Sequence, residues 1–441
     1  MNTKDRTALV YATFDGITSA HSGIGTQTKA FLHEIAVNRA ILDRHDIARV
    51  FAAYPATCPT ATGYEFDEHA HSVATGLLEQ SDAHGWPLDW HAEEFWSESA
   101  WHQMCRALAA RIESIADLYD RVIVLAVDAV YLRLSAHLVR LGSHIQLVHL
   151  WYSSVLVTGM TPNPDRLAAE RWCIEQVNSR HAVHIADVGE FFTAHLRRDF
   201  GLSAEPLRFP HSLSLTSPDY TPLSSPQVDA VLAEHRIPRD LPIIAFAGRV
   251  DPVKGLDILI DELQHVDRPF RLVALTSPNH RHDPNMTAIT RRLAEIDYAH
   301  TLIPHFDRQL YRALSCCGDV TAIVCPSRGE PIGAVPQETA LLAANGGPIV
   351  IASDRDGLAE QIRHTRTGLL FDPDRPGALA AEITTALDMS TKVSARIRAG
   401  AARKVRAERC MGSSLDQLLT ELAQGTPQSN RIDHTASKTT S

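Results

Sequence analysis

The 441-residue chain has no long run of lysine or arginine, and its formal net charge is −10. A basic footprint is missing, which excludes nucleic acid or an anionic membrane as the main partner. Its seven cysteines, Cys58, Cys105, Cys173, Cys316, Cys317, Cys325 and Cys410, contain no C-x-x-C spacing. An odd, scattered set of this kind excludes a disulfide framework and reads as the reduced thiols of a cytoplasmic protein. Nowhere does an apolar run approach the ~18 residues that a bilayer-spanning helix needs, so no stable membrane association is expected. Residues 1–6 are polar and lead straight into an apolar strand, without the charged-then-apolar pattern of a signal peptide. Histidine is plentiful at 23, yet His69 and His71, His181 and His184, and His280 and His282 sit in unrelated places. With no H-E-x-x-H and no Cys/His zinc spacing, they read as solvent-facing or capping side chains, and no metal site is expected.

What is present is ordinary globular material. A hydrophobic content of 44% against 21% charged residues supplies enough apolar surface for more than one core. The length suggests two domains of about 200 residues each. Apolar runs of strand type occur at 8–12, 122–127, 145–150, 182–186, 243–247, 271–275, 320–325 and 348–352. Between them lie segments of helical period, including 26–36, 101–119, 257–264 and 308–316. Near-continuous apolar strands separated by helices imply parallel sheets covered on both faces, hence an α/β fold.

The alternation breaks at 212–240, where SLSLTSPDYTPLSSPQ is rich in Ser, Thr and Pro. The expected organisation is an N-terminal domain over 1–213, a linker over 214–240 and a C-terminal domain over 241–400. Helices over 401–424 are expected to pack back toward the N-terminal domain. Residues 57–101 read as an irregular insertion carrying Trp86, Trp90, Trp96 and Trp101, and 425–441 as a disordered tail with almost nothing to bury.

Two segments carry chemistry. In FAGRVDPVKG (246–255) an apolar strand ends at Gly248, and Arg249 and Lys254 follow before a helix that starts near Leu256. Ligands of open α/β sheets bind beyond the carboxyl ends of strands. Two cations at that edge suit a diphosphate, Arg249 by its planar fork and Lys254 as a point charge, although two solvated loop cations explain the pair equally well. In PSRGEPIGAVPQE (326–338) a buried strand runs into a loop, and a helix follows Gly333 over about 334–344. Pro336 fits a first helical turn, where its missing N–H is not needed. The free amides near Gly333, Ala334 and Val335 form a phosphate cradle. Glu330 on the loop and Glu338 in the helix suit sugar hydroxyls and a ribose diol respectively; the bland alternative is a loop cap and a surface carboxylate.

Together these segments resemble the C-terminal half of the GT4 family of GT-B glycosyltransferases. Gly248, Arg249, Lys254 and Gly255, then Glu330, Pro331, Gly333 and Glu338, stand in the order and spacing of its G-R-x4-K-G and two-glutamate pattern. IASDRDGLAE (351–360) and TGLLF (367–371) resemble the elements that follow in the family. The fold implied is two Rossmann-like parallel-sheet domains facing across a cleft. By resemblance, Arg249 and Lys254 bind the donor pyrophosphate, Glu330 the donor sugar and Glu338 the nucleotide ribose. The amides of Gly333, Ala334 and Val335 receive phosphate oxygens, and Pro331 and Ile332 complete the donor-binding loop. In the N-terminal half, Gly23, Ile24 and Gly25 open a helix much as the family's glycine-rich loop does. As a nicotinamide-binding loop this segment fails, because Thr28 stands where the third glycine belongs. The family places a histidine shortly after the strand at 145–150; here Tyr152 takes that place, with His149 three residues earlier, and both are candidates.

The activity implied is retaining transfer of a sugar from a nucleotide diphosphate of UDP or GDP type, without metal or other cofactor. Protein cations then stabilise the leaving diphosphate. The overall pattern resembles the mycothiol-pathway and antibiotic-pathway members most, which implies a small soluble acceptor in thiol or specialised-metabolite biosynthesis. An aromatic wall from the insertion suits a flat or cationic acceptor. A homodimer stays open. Rivals are a GT-B nucleotide-sugar epimerase, a phosphorylase, or a non-catalytic nucleotide-sugar-binding subunit.

Overall fold

The computed structural model describes residues 6–19, 22–58, 60–158, 163–278 and 283–424. His280, His282 and the expected disordered tail lie outside these residues. The first sheet is built from β1 (Thr7–Ala12), β2 (Ile47–Pro55), β3 (Ala83–Leu88), β4 (Arg121–Val127), β5 (Ile145–Leu150), β6 (Val183–Asp187) and β7 (Leu207–Arg208). The second contains β8 (Ile243–Arg249), β9 (Arg271–Ser277), β10 (Ala299–Ile303), β11 (Val320–Cys325), β12 (Ile349–Ser353) and β13 (Leu369–Phe371). The strand orders are β3-β2-β1-β4-β5-β6-β7 and β10-β9-β8-β11-β12-β13. Every strand pair within them is parallel.

Each order reverses direction once, between β1 and β4 in the first sheet and between β8 and β11 in the second. Such switch points open a crevice beyond the strand ends, where doubly wound proteins bind ligands. Both motif-bearing loops, after β8 and after β11, emerge at the second crevice.

Alternate residues of the second sheet feed separate cores. Ile244, Phe246, Leu272, Ala274 and Val324 join one, while Ile243, Ala245, Val273, Leu275 and Ile323 join the other. That two-sided burial is why the strands read as continuous apolar runs.

Three parts of the expected organisation are revised. The stretch read as an irregular insertion holds the helix Glu68–Gln80 and the edge strand β3. Gly85 and Pro87 disguise this strand, and at a sheet edge both are tolerated. The stretch read as linker ends early, in the helix Ser225–Glu234. Ser224 and Gln227 close a capping box there, and Val228 and Leu232 are buried against the second sheet. Of the two C-terminal helices, Thr391–Glu408 stays with the C-terminal domain through Ile397. Met411–Gln424 alone crosses back, setting Met411, Leu415, Leu418, Leu419 and Leu422 at helical spacing into the N-terminal core. The two crossings are tied together: the Leu213 amide donates to the Arg409 carbonyl, and the Met411 amide to that of Leu213, each at 2.9 Å. Among the described residues no helix is long and apolar enough to cross a membrane.

Candidate active site

The loop after β8 is a tight turn. Asp251 accepts from the Val253 amide at 3.0 Å, a short 3-10 turn covers Pro252–Lys254, and Gly255 takes φ +71° before the helix Leu256–Leu263. Glycine is required here on two counts: its left-handed backbone, and a Cβ that would lie 2.0 Å from the Pro326 carbonyl oxygen. That close approach brings the loops after β8 and β11 together. Arg328 locks them, its amide donating to Val253 O at 2.8 Å and its guanidinium to Pro252 O at 2.6 Å. It also grips both oxygens of Asp257 at 2.8 and 2.6 Å. Burial pushes the Asp257 carboxyl up, but this fork outweighs it and holds the group below the ordinary carboxylate range.

On this platform Lys254 Nζ donates to Glu330 Oε2. Arg249, at the end of β8, lies 3.5 Å from Asp251 and is half exposed. The Glu330 backbone is fixed at both ends, its amide donating to Asp356 Oδ2 at 3.3 Å and its carbonyl accepting from Gly357 N at 2.9 Å. Beyond Pro331, Ile332 is buried among N-terminal core residues, with its carbonyl accepting from Gln361. Gly333 takes φ +80°, turning the chain so that the helix Val335–Leu342 starts with Ala334 as its cap. The amides of Gly333, Ala334 and Val335 have no acceptor among the described residues, as the first turn of a helix leaves them.

Glu338 is not the surface carboxylate of the bland alternative. It is 4% exposed, and Arg308 Nη1 reaches both its oxygens at 3.0 Å while the Tyr220 hydroxyl donates to Oε1 at 3.4 Å.

Across the cleft, the loop between β1 and the helix Gly23–Val37 folds around Asp15. Its carboxylate accepts from Gly16 N, Ser19 Oγ, Ser22 N and Ser22 Oγ at 3.0, 2.8, 2.8 and 2.6 Å. Ser22 caps the helix, so the Ile24 and Gly25 amides are already bonded to its hydroxyl and carbonyl at 3.2 and 3.1 Å. Of the three expected donor amides here, only that of Gly23 has no acceptor among the described residues.

At the other flank of this switch point stands Asp128, just past β4. Its carboxylate accepts from Ala129 N at 2.7 Å and Ser153 Oγ at 2.9 and 2.8 Å. Burial pushes its pKa up to about 6, against the opposing pull of Arg166. Arg166 in turn donates to Ser153 O, Ser153 Oγ and Glu170 Oε1 at 2.9, 2.7 and 2.9 Å, stiffening the loop after β5. Tyr152, on this loop, is 8% exposed, its ring edge-on to His211 at 5.9 Å and its hydroxyl without a partner among the described residues. His149 is placed elsewhere. Facing Ala126 and Ile185 in the sheet and 1% exposed, it has both ring nitrogens buried and unpartnered among the described residues. Desolvation lowers its pKa to about 3. It is an imidazole set within the sheet and kept neutral by its burial.

The structure thus gathers Arg249, Lys254, Glu330, Pro331, Gly333, Ala334 and Val335 at one crevice. Gly23 and Tyr152 stand at the crevice edge of the other sheet. The domains touch through these loops: a Cβ on Gly329 would lie 2.4 Å from Val157 O, and His211 Nδ1 meets Gln337 Oε1 at 3.1 Å. Asp15, Asp128, Arg308 and Arg328 were not singled out from the sequence. The one available signal was position, Asp15 and Asp128 shortly after apolar strands and Arg328 inside the quoted loop motif.

Residues 228–404 match the sequence model of the family described as Glycosyl transferases group 1. D-inositol 3-phosphate glycosyltransferase of Jonesia denitrificans is 34% identical over 169 residues, covering 36% of this chain and 38% of that protein. Alpha-maltose-1-phosphate synthase of Mycolicibacterium smegmatis is 29% identical over 192 residues, 42% of this chain and 46% of the other. The match thus spans less than half of these relatives' length. Among solved structures, sucrose-phosphate synthase from Thermosynechococcus elongatus aligns with a TM-score of 0.69 at 18% identity, covering 95% of this chain and 99% of the other. Anabaena Alr3699/HepE in complex with UDP-glucose gives 0.66 at 16%, with the same coverage. At these identities the likeness establishes the fold.

Proposed function

We propose that this chain, whose residues 228–404 match the group 1 glycosyl transferases and whose two domains have the GT-B fold, transfers a sugar, with retention, from a nucleoside diphosphate to a small soluble acceptor. The observation that carries the proposal is the Lys254–Glu330 pair beside the amides of Gly333, Ala334 and Val335, unpartnered among the described residues, at the switch point of the second sheet. A cation and helix-start amides stabilise the charge that grows on a departing diphosphate, while a carboxylate orients donor hydroxyls.

In the proposed reaction the acceptor hydroxyl or other nucleophile bonds to the anomeric carbon as the bond from that carbon to the phosphate oxygen breaks. The acceptor proton passes to the departing phosphate oxygen on the same face of the sugar. The products are the glycoside and a nucleoside diphosphate of UDP or GDP type. Arg249 and Lys254 take the diphosphate charge. Tyr152, whose buried hydroxyl has no partner among the described residues, is the N-terminal group assigned to the sugar. Acceptor recognition falls to the N-terminal domain, where Trp96 is 41% exposed and packs edge-on against Phe14 at 5.4 Å in the loop after β1. An aromatic wall there suits a small acceptor of thiol or specialised metabolism.

A binding-only role is the second proposal, favoured by Tyr152 standing where a histidine is expected. Incubating the purified chain with UDP- and GDP-sugars and measuring nucleoside diphosphate release, alone and with candidate acceptors, tests both. Release with NMR showing the donor's anomeric configuration in the product supports transfer. Tight donor binding without any release supports the binding-only role, and inversion overturns the retaining mechanism.

A further inference from the structure

Arg308 opens the helix Arg308–Cys316, with Asp307 as its cap. A cation in that position faces the positive end of the helix dipole, so helix electrostatics do not account for it. Its surroundings do. One guanidinium nitrogen bridges both oxygens of Glu338 at 3.0 Å, and the guanidinium carbon lies 5.6 Å from the Tyr220 ring centre and 5.4 Å from that of Tyr311. Asp219 stands 3.7 Å from its Nε. Arg308 is thus held by two aromatic faces and two carboxylates, and only 27% of its side chain is exposed.

Tyr220 and Asp219 lie on the turn Pro218–Tyr220, in the segment that joins the two domains. The same helix secures this turn a second time, Arg312 Nη2 donating to Pro218 O at 3.0 Å and to Thr221 O at 2.9 Å. A few residues earlier, Ser214 Oγ donates to Glu34 Oε2 at 2.7 Å, on the helix that begins at Gly23. A continuous polar path therefore runs from the Glu338 carboxylate through the linker turn to the N-terminal domain.

From this geometry we infer that Arg308 is a positioning residue for the donor nucleotide: it fixes Glu338 to receive the ribose diol, and the linker turn Pro218–Tyr220 forms part of that site. The inference rests on the proposed role of Glu338 toward the ribose. A carboxylate accepts about four hydrogen bonds. Both contacts from Arg308 come from a single nitrogen, and the Tyr220 hydroxyl sits at the long distance of 3.4 Å. Capacity thus remains for sugar hydroxyls, while the carboxylate cannot swing away.

The test is calorimetric binding of the nucleoside diphosphate that the wild-type chain prefers and of its 2′,3′-dideoxy counterpart, on wild type, Glu338→Gln, Arg308→Met and Arg308→Lys. Wild type is expected to favour the ribonucleotide about tenfold or more. Arg308→Met is expected to lose most of that preference while binding the dideoxy compound within about threefold of wild type, and Arg308→Lys to recover part of it. A merely structural defect would weaken both ligands alike and leave their ratio unchanged. An unchanged ratio in Glu338→Gln shows that Glu338 is not the ribose partner, and the role of Arg308 falls with it. A collapsed ratio in Glu338→Gln with a wild-type ratio in Arg308→Met overturns the positioning role alone. If Arg308→Met does not fold, Arg308→Gln replaces it under the same two criteria.

Discussion

Replacing Gly329 by alanine adds a single methyl group at the point where the loop after β11 meets the N-terminal domain. The added carbon would lie 2.4 Å from Val157 O, so reaching an ordinary contact of 3.4–4 Å requires the two to part by at least about 1 Å. Among the described residues the next neighbour beyond Val157 is Asp356 Oδ2, at an ordinary 3.7 Å, and Gly329 does not occupy the left-handed region. The strain therefore falls on the contact between domains. A displacement of about 1 Å between reacting groups costs on the order of 10²-fold in rate. Steady-state turnover of Gly329→Ala is accordingly expected to fall about 100-fold, with nucleoside diphosphate affinity within about threefold of wild type. A melting temperature within about 2 °C is expected, because no core contact is lost. Gly255→Ala is the contrast: its added carbon meets Pro326 O at 2.0 Å within one domain, at φ +71°, so nucleotide binding itself should fail. Full turnover in Gly329→Ala would refute the claim that catalysis depends on this approach of the domains.

Three further outcomes are expected. Asp128 has a pKa of about 6 in the folded chain against about 3.9 unfolded, so folding favours its protonated form and the associated stability, about 3 kcal/mol, is present below pH ~4 and lost by pH ~6. Urea titrations should show Asp128→Asn gaining on wild type across that window; a pH-independent difference would remove the assigned shift. His149→Leu should leave turnover intact and stabilise the fold by about 1–2 kcal/mol, since it removes two buried nitrogens that are unpartnered among the described residues; a folded but inactive variant would place His149 in the chemistry. Lys254→Met should cut turnover by at least about 100-fold, or ~2.7 kcal/mol of transition-state stabilisation, and a drop below threefold would exclude Lys254 from leaving-group stabilisation.

The α/β class was legible because strands such as β4 and β11 are apolar on both faces, a pattern that only a doubly covered parallel sheet needs. The loop motifs were legible because their chemistry is local: a strand end, a cation, a glycine and a helix start lie within a few residues. β3 was missed because an edge strand buries only alternate residues and accommodates Gly85 and Pro87. The helix Ser225–Glu234 was missed because Ser224, Ser225 and Pro226, which start a helix, equally mark a linker. Arg308 and Asp128 were beyond reach for a different reason. Arg308 acquires its meaning from Glu338 and Tyr220, and Asp128 from Ser153 and Arg166, partners distant in sequence whose juxtaposition is set by the strand order rather than by local composition.

In the proposed reaction the crevice between the loops after β8 and β11 holds a nucleoside diphosphate. Calorimetric titration of the purified chain with UDP, GDP and ADP, repeated on Arg249→Ala and Glu338→Ala, tests it most directly. One nucleotide should bind with micromolar affinity, and both variants should lose at least about tenfold, equivalent to ~1.4 kcal/mol. If no nucleotide binds, or both variants bind as tightly as wild type, the donor site is not at this crevice and the proposed transfer loses its foundation.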